Sequence, residues 1–189
     1  LKKQKIKPNN MQKNKIILAK KTLKLLETHT FNEITLDKFF KKEKISLVKN
    51  KTDLLTNVNR YFDFLIKKNL SSLESSSIKD MIFEVFMERL DILNSHRKSI
   101  KNIIKYLKSN PQYFLKLVPS FVNSIILMAT ISNIEVNSIK GASKLKVLLI
   151  LYFLIIYTWS QDETKGLEKT MTTLDKYLTN IEKLAKFFK

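Results

Sequence analysis

Cysteine is absent from this chain, which excludes disulfide frameworks and thiolate metal sites. Histidine occurs twice, at His29 and His96, and no HExxH-like pair brings two ligands together, so neither a metal centre nor another cofactor is expected. Glycine also occurs only twice, at Gly141 and Gly166. Phosphate-cradling loops need several glycines close together, so P-loop and dinucleotide-binding folds are excluded. With only three prolines as well, an all-α chain with short connections is expected. Arginine is scarce. Arg60, Arg89 and Arg97 are the only ones among 35 basic residues. Arginine is the side chain that reads base edges with a bidentate fork, whereas lysine acts as a point charge. Leu1 to Asn10 lack the apolar run of a secretory signal. The most apolar stretch, Val147 to Trp159, would span about 20 Å as a helix, against the roughly 30 Å of a bilayer core. A buried helix of a cytoplasmic protein is expected there.

What is present is ordinary globular composition with an uneven charge. Of 189 residues, 44% are apolar and 28% charged, enough to build a core in one domain or one domain with a small head. The net charge is +18, and residues 1–51 hold 15 lysines against 4 acidic residues. A basic head points to an anionic partner, nucleic acid or lipid headgroup. Heavy use of Lys, Asn and Ile, as an AT-rich genome would produce, is the competing and principal explanation of the charge.

Apolar periodicity divides the chain into helices. Residues 1–10 read as a disordered basic arm. Met11 to about Glu27 is a first helix with Ile16, Leu23 and Leu26 inward, flanked by Ile17, Ala19 and Thr22. Thr35 caps a second, with Leu36, Phe39 and Phe40 apolar. Thr52 caps a third, running to about Asn69 on Leu55, Val58, Phe62 and Leu65. Ser71 to Ser77 is a linker, and Ser77 with Asp80 forms a capping-box-like start to the next helix, which ends near Asn94. Ser95 caps another, Asn110-Pro111 opens the next, and Pro119 is expected to kink or break it. Two helices close the chain, from about Ala142 to Ser160 and from about Thr164 to Phe188. The first of these is apolar nearly all round, so a homodimer through both is expected, with Leu148, Leu151, Ile155, Leu174, Leu178 and Ile181 at the interface. The resulting organisation is an arm at 1–10, a head with its connecting helix at 11–70, and a bundle at 78–189.

Ile16-Ile17, Ala19 and Leu23, then Thr35-Leu36, Phe39-Phe40 and Ile45-Ser46, then Asn50-Lys51 and Leu54-Leu55 resemble the helix-turn-helix head of the TetR fold. Only Leu47, Val48 and Lys49 separate Ser46 from Asn50, where that family places a recognition helix of roughly nine residues. Three residues make less than one helical turn, too short to present side chains in a major groove. Met87 to Leu93, Trp159, Asp162, Thr164, Thr170 and Leu174-Asp175 are similar to the ubiquinone-biosynthesis lipid-binding proteins of the Coq-nine type and to related TetR-like regulators of alphaproteobacteria. Ser143-Lys144-Leu145 stands near where the Coq-nine type carries a tryptophan-tyrosine-lysine signature. The resemblance implies a non-enzymatic TetR-like homodimer with a degenerate head and a C-terminal bundle. It implies an apolar ligand such as a prenyl lipid, a quinone-pathway hydroxylase as partner, and peripheral contact with the inner membrane face. Leu178 to Lys189 is a basic amphipathic end suited to that contact.

The residues themselves offer no catalytic constellation. Glu84, Glu88 and Asp91 read as a solvated face, and His96 as structural or exposed. Asp162 and Glu163 are adjacent in a turn and cannot face each other. Candidate ligand-lining residues are Phe83, Phe86, Leu90, Tyr113, Phe114, Phe121, Ile125, Met128 and Tyr152, for which ordinary core is the competing role. The alternative function is a TetR-family transcriptional regulator, with Thr35, Lys44, Ser46, Lys49 and Lys51 on DNA and a hydrophobic effector pocket.

Overall fold

A computed structural model describes residues 10–40, 48–70 and 77–187. The protein is all-α, with no strand among the described residues. The elements are α1 (Asn10–Leu25), α2 (Leu36–Phe39), α3 (Lys51–Asn69), α4 (Ile78–Asn94), α5 (Arg97–Ser109), α6 (Pro111–Ile131), α7 (Ile139–Gln161) and α8 (Glu168–Phe187). They form two compact units, residues 1–71 with 92–121 and residues 72–91 with 122–189. The units interleave along the chain, and α4 and α6 each pass from one to the other. The division expected at the serine-rich segment therefore differs from the compact units. That segment at 71–76, the basic arm at 1–9 and the turn residues Lys44, Ile45 and Ser46 lie outside the described residues.

In the first unit α1 packs against α3 and α5. Ala19, Thr22 and Leu23 are buried on α1, and Leu26 just after it. Ile17, expected beside them, is 55% exposed. Thr22 fits the interior because its hydroxyl donates to the Leu18 carbonyl one turn back. α2 is a single turn. Thr35 has the extended backbone of an N-cap but makes no side-chain cap bond. The cap of α3 is Asn50, not Thr52, because the Asn50 side chain accepts the Asp53 N–H at 3.0 Å. α5 begins after His96 rather than Ser95, whose hydroxyl donates instead to the Ile92 carbonyl.

Two side chains tie this unit together across long sequence distances. Asn102 on α5 accepts the Phe31 N–H and donates to the Leu26 and His29 carbonyls at 3.3 and 2.7 Å. Ser99 donates to the Leu23 carbonyl at 2.7 Å. These bonds hold the segment after α1 so that Phe31 and Ile34 are fully buried. The Phe31 ring meets Tyr106 edge-on at 4.7 Å.

In the second unit, Ser77 caps α4 as expected, its Oγ accepting the Asp80 N–H. Lys79 reaches from α4 to Asp175 at 2.7 Å and to Thr179 Oγ1 at 2.8 Å on α8. α6 starts at Pro111 and runs on as helix through Pro119. The missing proline N–H leaves one backbone carbonyl a turn earlier without its usual donor, and neighbouring bonds carry the helix past it. By length and composition α6 is the one helix among the described residues able to cross a membrane, and 28% of its apolar window is buried. α7 starts three residues earlier than expected, at Ile139, because Ser138 caps it by accepting the Gly141 N–H at 3.0 Å.

Gly141 is required by close approach. A Cβ there would stand 2.5 Å from the Val136 carbonyl carbon, a backbone atom that cannot swing aside. Gly141→Ala is expected to destabilise the protein by about 1–3 kcal/mol, despite alanine's better helix propensity of about 1 kcal/mol. Thermal unfolding checks this, and an unchanged or raised midpoint would contradict the packing described.

Candidate functional site

The second unit gathers most of the expected ligand-lining residues. Phe86, Leu90, Ile125, Met128 and Tyr152 are buried and Phe83 is half-buried. Phe86 and Tyr152 meet edge-on at 6.3 Å, and Tyr152 packs in turn on Phe153. Within this apolar set lies Arg89, 1% exposed, whose Nε donates to the Tyr152 hydroxyl at 3.3 Å. Its guanidinium carbon lies 5.9 Å from the Tyr152 ring centre. Sequence reasoning passed over Arg89. The available signal was its register, three residues after Phe86 and four after Val85, on the face that is buried.

The remaining three candidates belong to the first unit. Tyr113, Phe114 and Phe121 are half-buried on α6, with the two phenylalanine rings 6.1 Å apart. Tyr113 packs on Tyr106 at 5.4 Å. Burial, and then the hydrogen bond with Tyr113, pushes the Tyr106 phenol up to about 12.

A cleft of about 660 Å³ opens in the first unit, lined by Thr35, Leu36, Asp37, Asn50, Lys51, Thr52, Asp53, Tyr113 and Lys116. It contains two residues of the DNA-binding alternative, Thr35 and Lys51. Lys51 is turned inward, and its Nζ donates to the Phe31 and Asn32 carbonyls at 3.0 and 2.9 Å and lies 5.5 Å from the Phe31 ring centre. That ammonium satisfies two backbone oxygens. Asp53 accepts the Lys49 N–H at 2.8 Å, so with Asn50 it closes the start of α3. Lys49 itself is exposed. Val48 to Asn50 are not helical and lead directly into α3. Lys44 and Ser46 lie outside the described residues. The polar groups of the cleft therefore mainly order the local chain.

The α7–α8 corner explains another set of sequence features. Asp162, 1% exposed, accepts the N–H and hydroxyl of Thr164 and the N–H and hydroxyl of Thr170 at 2.6–3.0 Å. Burial alone would push the Asp162 carboxyl up. The four bonds from Thr164 and Thr170 more than reverse this and hold it well below the usual carboxylate range. α8 begins at Glu168, not Thr164, because Leu167 before it adopts a φ of 54° and offers no capping side chain. Asp162 and Thr164 cap the helix in its place, Thr164 Oγ1 accepting the Glu168 N–H. Trp159 and Leu174 are fully buried at this corner's flanking turns. The Trp159, Asp162, Thr164, Thr170 and Leu174 pattern thus has a sufficient explanation in folding.

The expected dimer residues face inward. Leu148, Leu151, Ile155, Leu174 and Leu178 are buried within the chain and Ile181 is half-buried, because α7 and α8 pack on each other along this seam. The outward apolar stripe of α7 is a different one. Val147, Ile150, Leu154 and Tyr157 are 42%, 61%, 42% and 61% exposed. Their spacing of three, four and three residues puts them on one helix face.

His96 is half-buried on the Phe62 ring at 5.9 Å. Burial, with Lys20 adding to it against Glu27, lowers its pKa, as suits a structural imidazole. Glu84 and Asp91 are exposed on α4, and the Asp91 carboxyl is pushed up by partial desolvation and then by Glu88. No protein-family model matches the chain, and no curated protein matches it significantly.

Proposed function

We propose that this chain is a non-enzymatic helical binding protein of TetR-like kind that acts as a homodimer and holds an apolar ligand in its second unit. The outward stripe of Val147, Ile150, Leu154 and Tyr157 carries the reading. Four large apolar side chains exposed along one helix face are uncommon on a monomer and fit an interface between copies. α7 carries Lys140, Lys144 and Lys146 near its start and no acidic residue. An antiparallel two-fold pairing keeps these lysines apart, placing Val147 against Tyr157 and Ile150 against Leu154 of the second copy. Phe86, Leu90, Ile125, Met128 and Tyr152 supply the apolar surroundings, and the resemblance to lipid-binding proteins supplies the prenyl-lipid class and the link to quinone synthesis. The inward Lys51 and the non-helical Val48 to Asn50 weigh against an operator-reading regulator.

Native mass spectrometry of the purified protein tests both halves. A dimer carrying an extractable apolar adduct is expected, and a strictly monomeric, ligand-free species overturns the reading. Ile150→Lys with Leu154→Lys is expected to yield folded monomer, since neither side chain belongs to the inward seam. A persistent dimer in that variant would place the interface elsewhere.

A further inference from the structure

The two units differ sharply in charge. Residues 1–71 with 92–121 hold 24 of the 35 basic and 6 of the 17 acidic residues, while 72–91 with 122–189 hold 11 of each. The whole net charge of +18 therefore belongs to the first unit. A genome-wide lysine bias acts on both units alike and does not produce this division. From Ile92 to Ile134 there is no acidic residue at all.

α5 concentrates this charge on one face. Lys98, Lys105 and Lys108 are exposed and Lys101 half-exposed, at spacings of three, four and three residues. Ser99, Ile100, Ile103 and Tyr106 occupy the buried side. The four lysines span about 15 Å in steps of about 4.5–6 Å. One strand of duplex nucleic acid presents about four phosphates over that length. Lys20 and Lys24 are exposed on α1, which packs against α5.

We propose that the α5 face, with α1 beside it, binds the phosphodiester backbone of nucleic acid without reading its sequence. Lysine supplies the point charges that phosphates need and lacks the fork that selects bases. No large apolar side chain of α5 is exposed, so α5 itself has nothing to insert into a lipid interface; Ile17 on α1 is exposed one turn before Lys20, and vesicle binding is therefore a separate arm of the test. The proposal does not depend on the α7 dimer or on an apolar ligand. It also differs from helix-turn-helix reading, because it uses neither α2 nor the start of α3.

Fluorescence anisotropy on labelled 20-nucleotide duplexes of two unrelated sequences, titrated from 50 to 200 mM NaCl, tests it with the full chain. The two sequences are expected to bind with equal affinity and a steep salt dependence. The K98Q/K101Q/K105Q/K108Q variant is expected to lose at least about tenfold in affinity at low salt and up to about 3.6 in the slope of log K against log salt. The corresponding Lys→Arg variant is expected to retain both. The K165Q/K169Q/K176Q variant, altered in the other unit, should bind as the unaltered protein does. Should the fourfold variant misfold, K105E/K108E alters only two exposed positions and is expected to weaken binding in the same direction. Absence of binding at 50 mM NaCl, strong discrimination between the sequences, or a salt slope unmoved by the α5 variants overturns the proposal. Uptake on phosphatidylserine vesicles that needs these lysines, without duplex binding, overturns it in favour of a membrane face.

Discussion

Replacing Asp162 with alanine is expected to lower the unfolding free energy by about 3 kcal/mol, a large share of the roughly 5–15 kcal/mol that holds a domain folded. The carboxylate is buried and accepts four bonds, two from backbone N–H groups and two from hydroxyls. Hydrogen bonds to a charged acceptor contribute more than neutral ones, and the buried donors of Thr170 would be left unsatisfied. Thr170, 0% exposed, has no route to solvent for its N–H and hydroxyl. Loss of helix capping adds to this, because Leu167 cannot replace Asp162. Asp162→Asn should cost less, since one acceptor oxygen remains. Urea unfolding gives the values, and a loss below about 1 kcal/mol for the alanine variant would show that the corner does not hold α8. The same group sets a pH dependence. Its pKa in the folded protein lies below the unfolded value of about 3.9. The unfolded chain therefore binds the proton first as pH falls. Its stabilisation is complete above about pH 4–5 and fades as the solution is acidified through the folded-state pKa. The gap in stability between the unaltered protein and Asp162→Asn should narrow below pH 4.

Replacing Asn102 with alanine is expected to cost about 2–3 kcal/mol and to loosen one identifiable segment. Its amide holds three backbone groups, at Leu26, His29 and Phe31. Without it, the turn after α1 loses the three hydrogen bonds that tie it to α5, and Phe31 and Ile34 lose a restraint that seats them. Hydrogen exchange should accelerate over residues 26–34 before it does in α3. Asn102→Asp should be worse than its near-isosteric shape implies. It keeps the acceptor for Phe31 N–H but turns a negative oxygen toward the Leu26 and His29 carbonyls. Protection over 26–34 that survives the alanine change would assign the turn to Lys51, whose ammonium holds the Phe31 and Asn32 carbonyls.

Much of the helical plan was legible because it depends on local chemistry. Ser77 with Asp80 and Asn110 before Pro111 mark helix starts through short-range bonds and proline geometry, and α4 and α6 begin there. The errors share a physical cause. Thr52 and Asn50 are both competent caps, and what distinguishes them is whether the backbone is extended, as it is at Asn50. Thr164, expected to begin α8, instead lies before it, binding a helix N–H from four residues away, in partnership with Asp162. Arg89 reads as a surface residue by type, and only packing against Tyr152 reveals it as part of the interior. The candidate lining set was recognisable by residue type, yet composition could not divide it between two units.

The sequence by itself determined that the chain is helical, where several helices begin, and which segments carry apolar residues, because capping and the 3.6-residue period act within a few neighbours. Which side of α7 faces the interior was decided only by tertiary packing. That helix is apolar nearly all round, so its period names no face, and the choice of Leu148, Leu151 and Ile155 inward with Ile150 and Tyr157 outward follows from where α8 lies. The concentration of lysines on one face of one unit was settled the same way. Charge along a chain is a count, whereas charge on a surface depends on which distant segments the fold brings side by side.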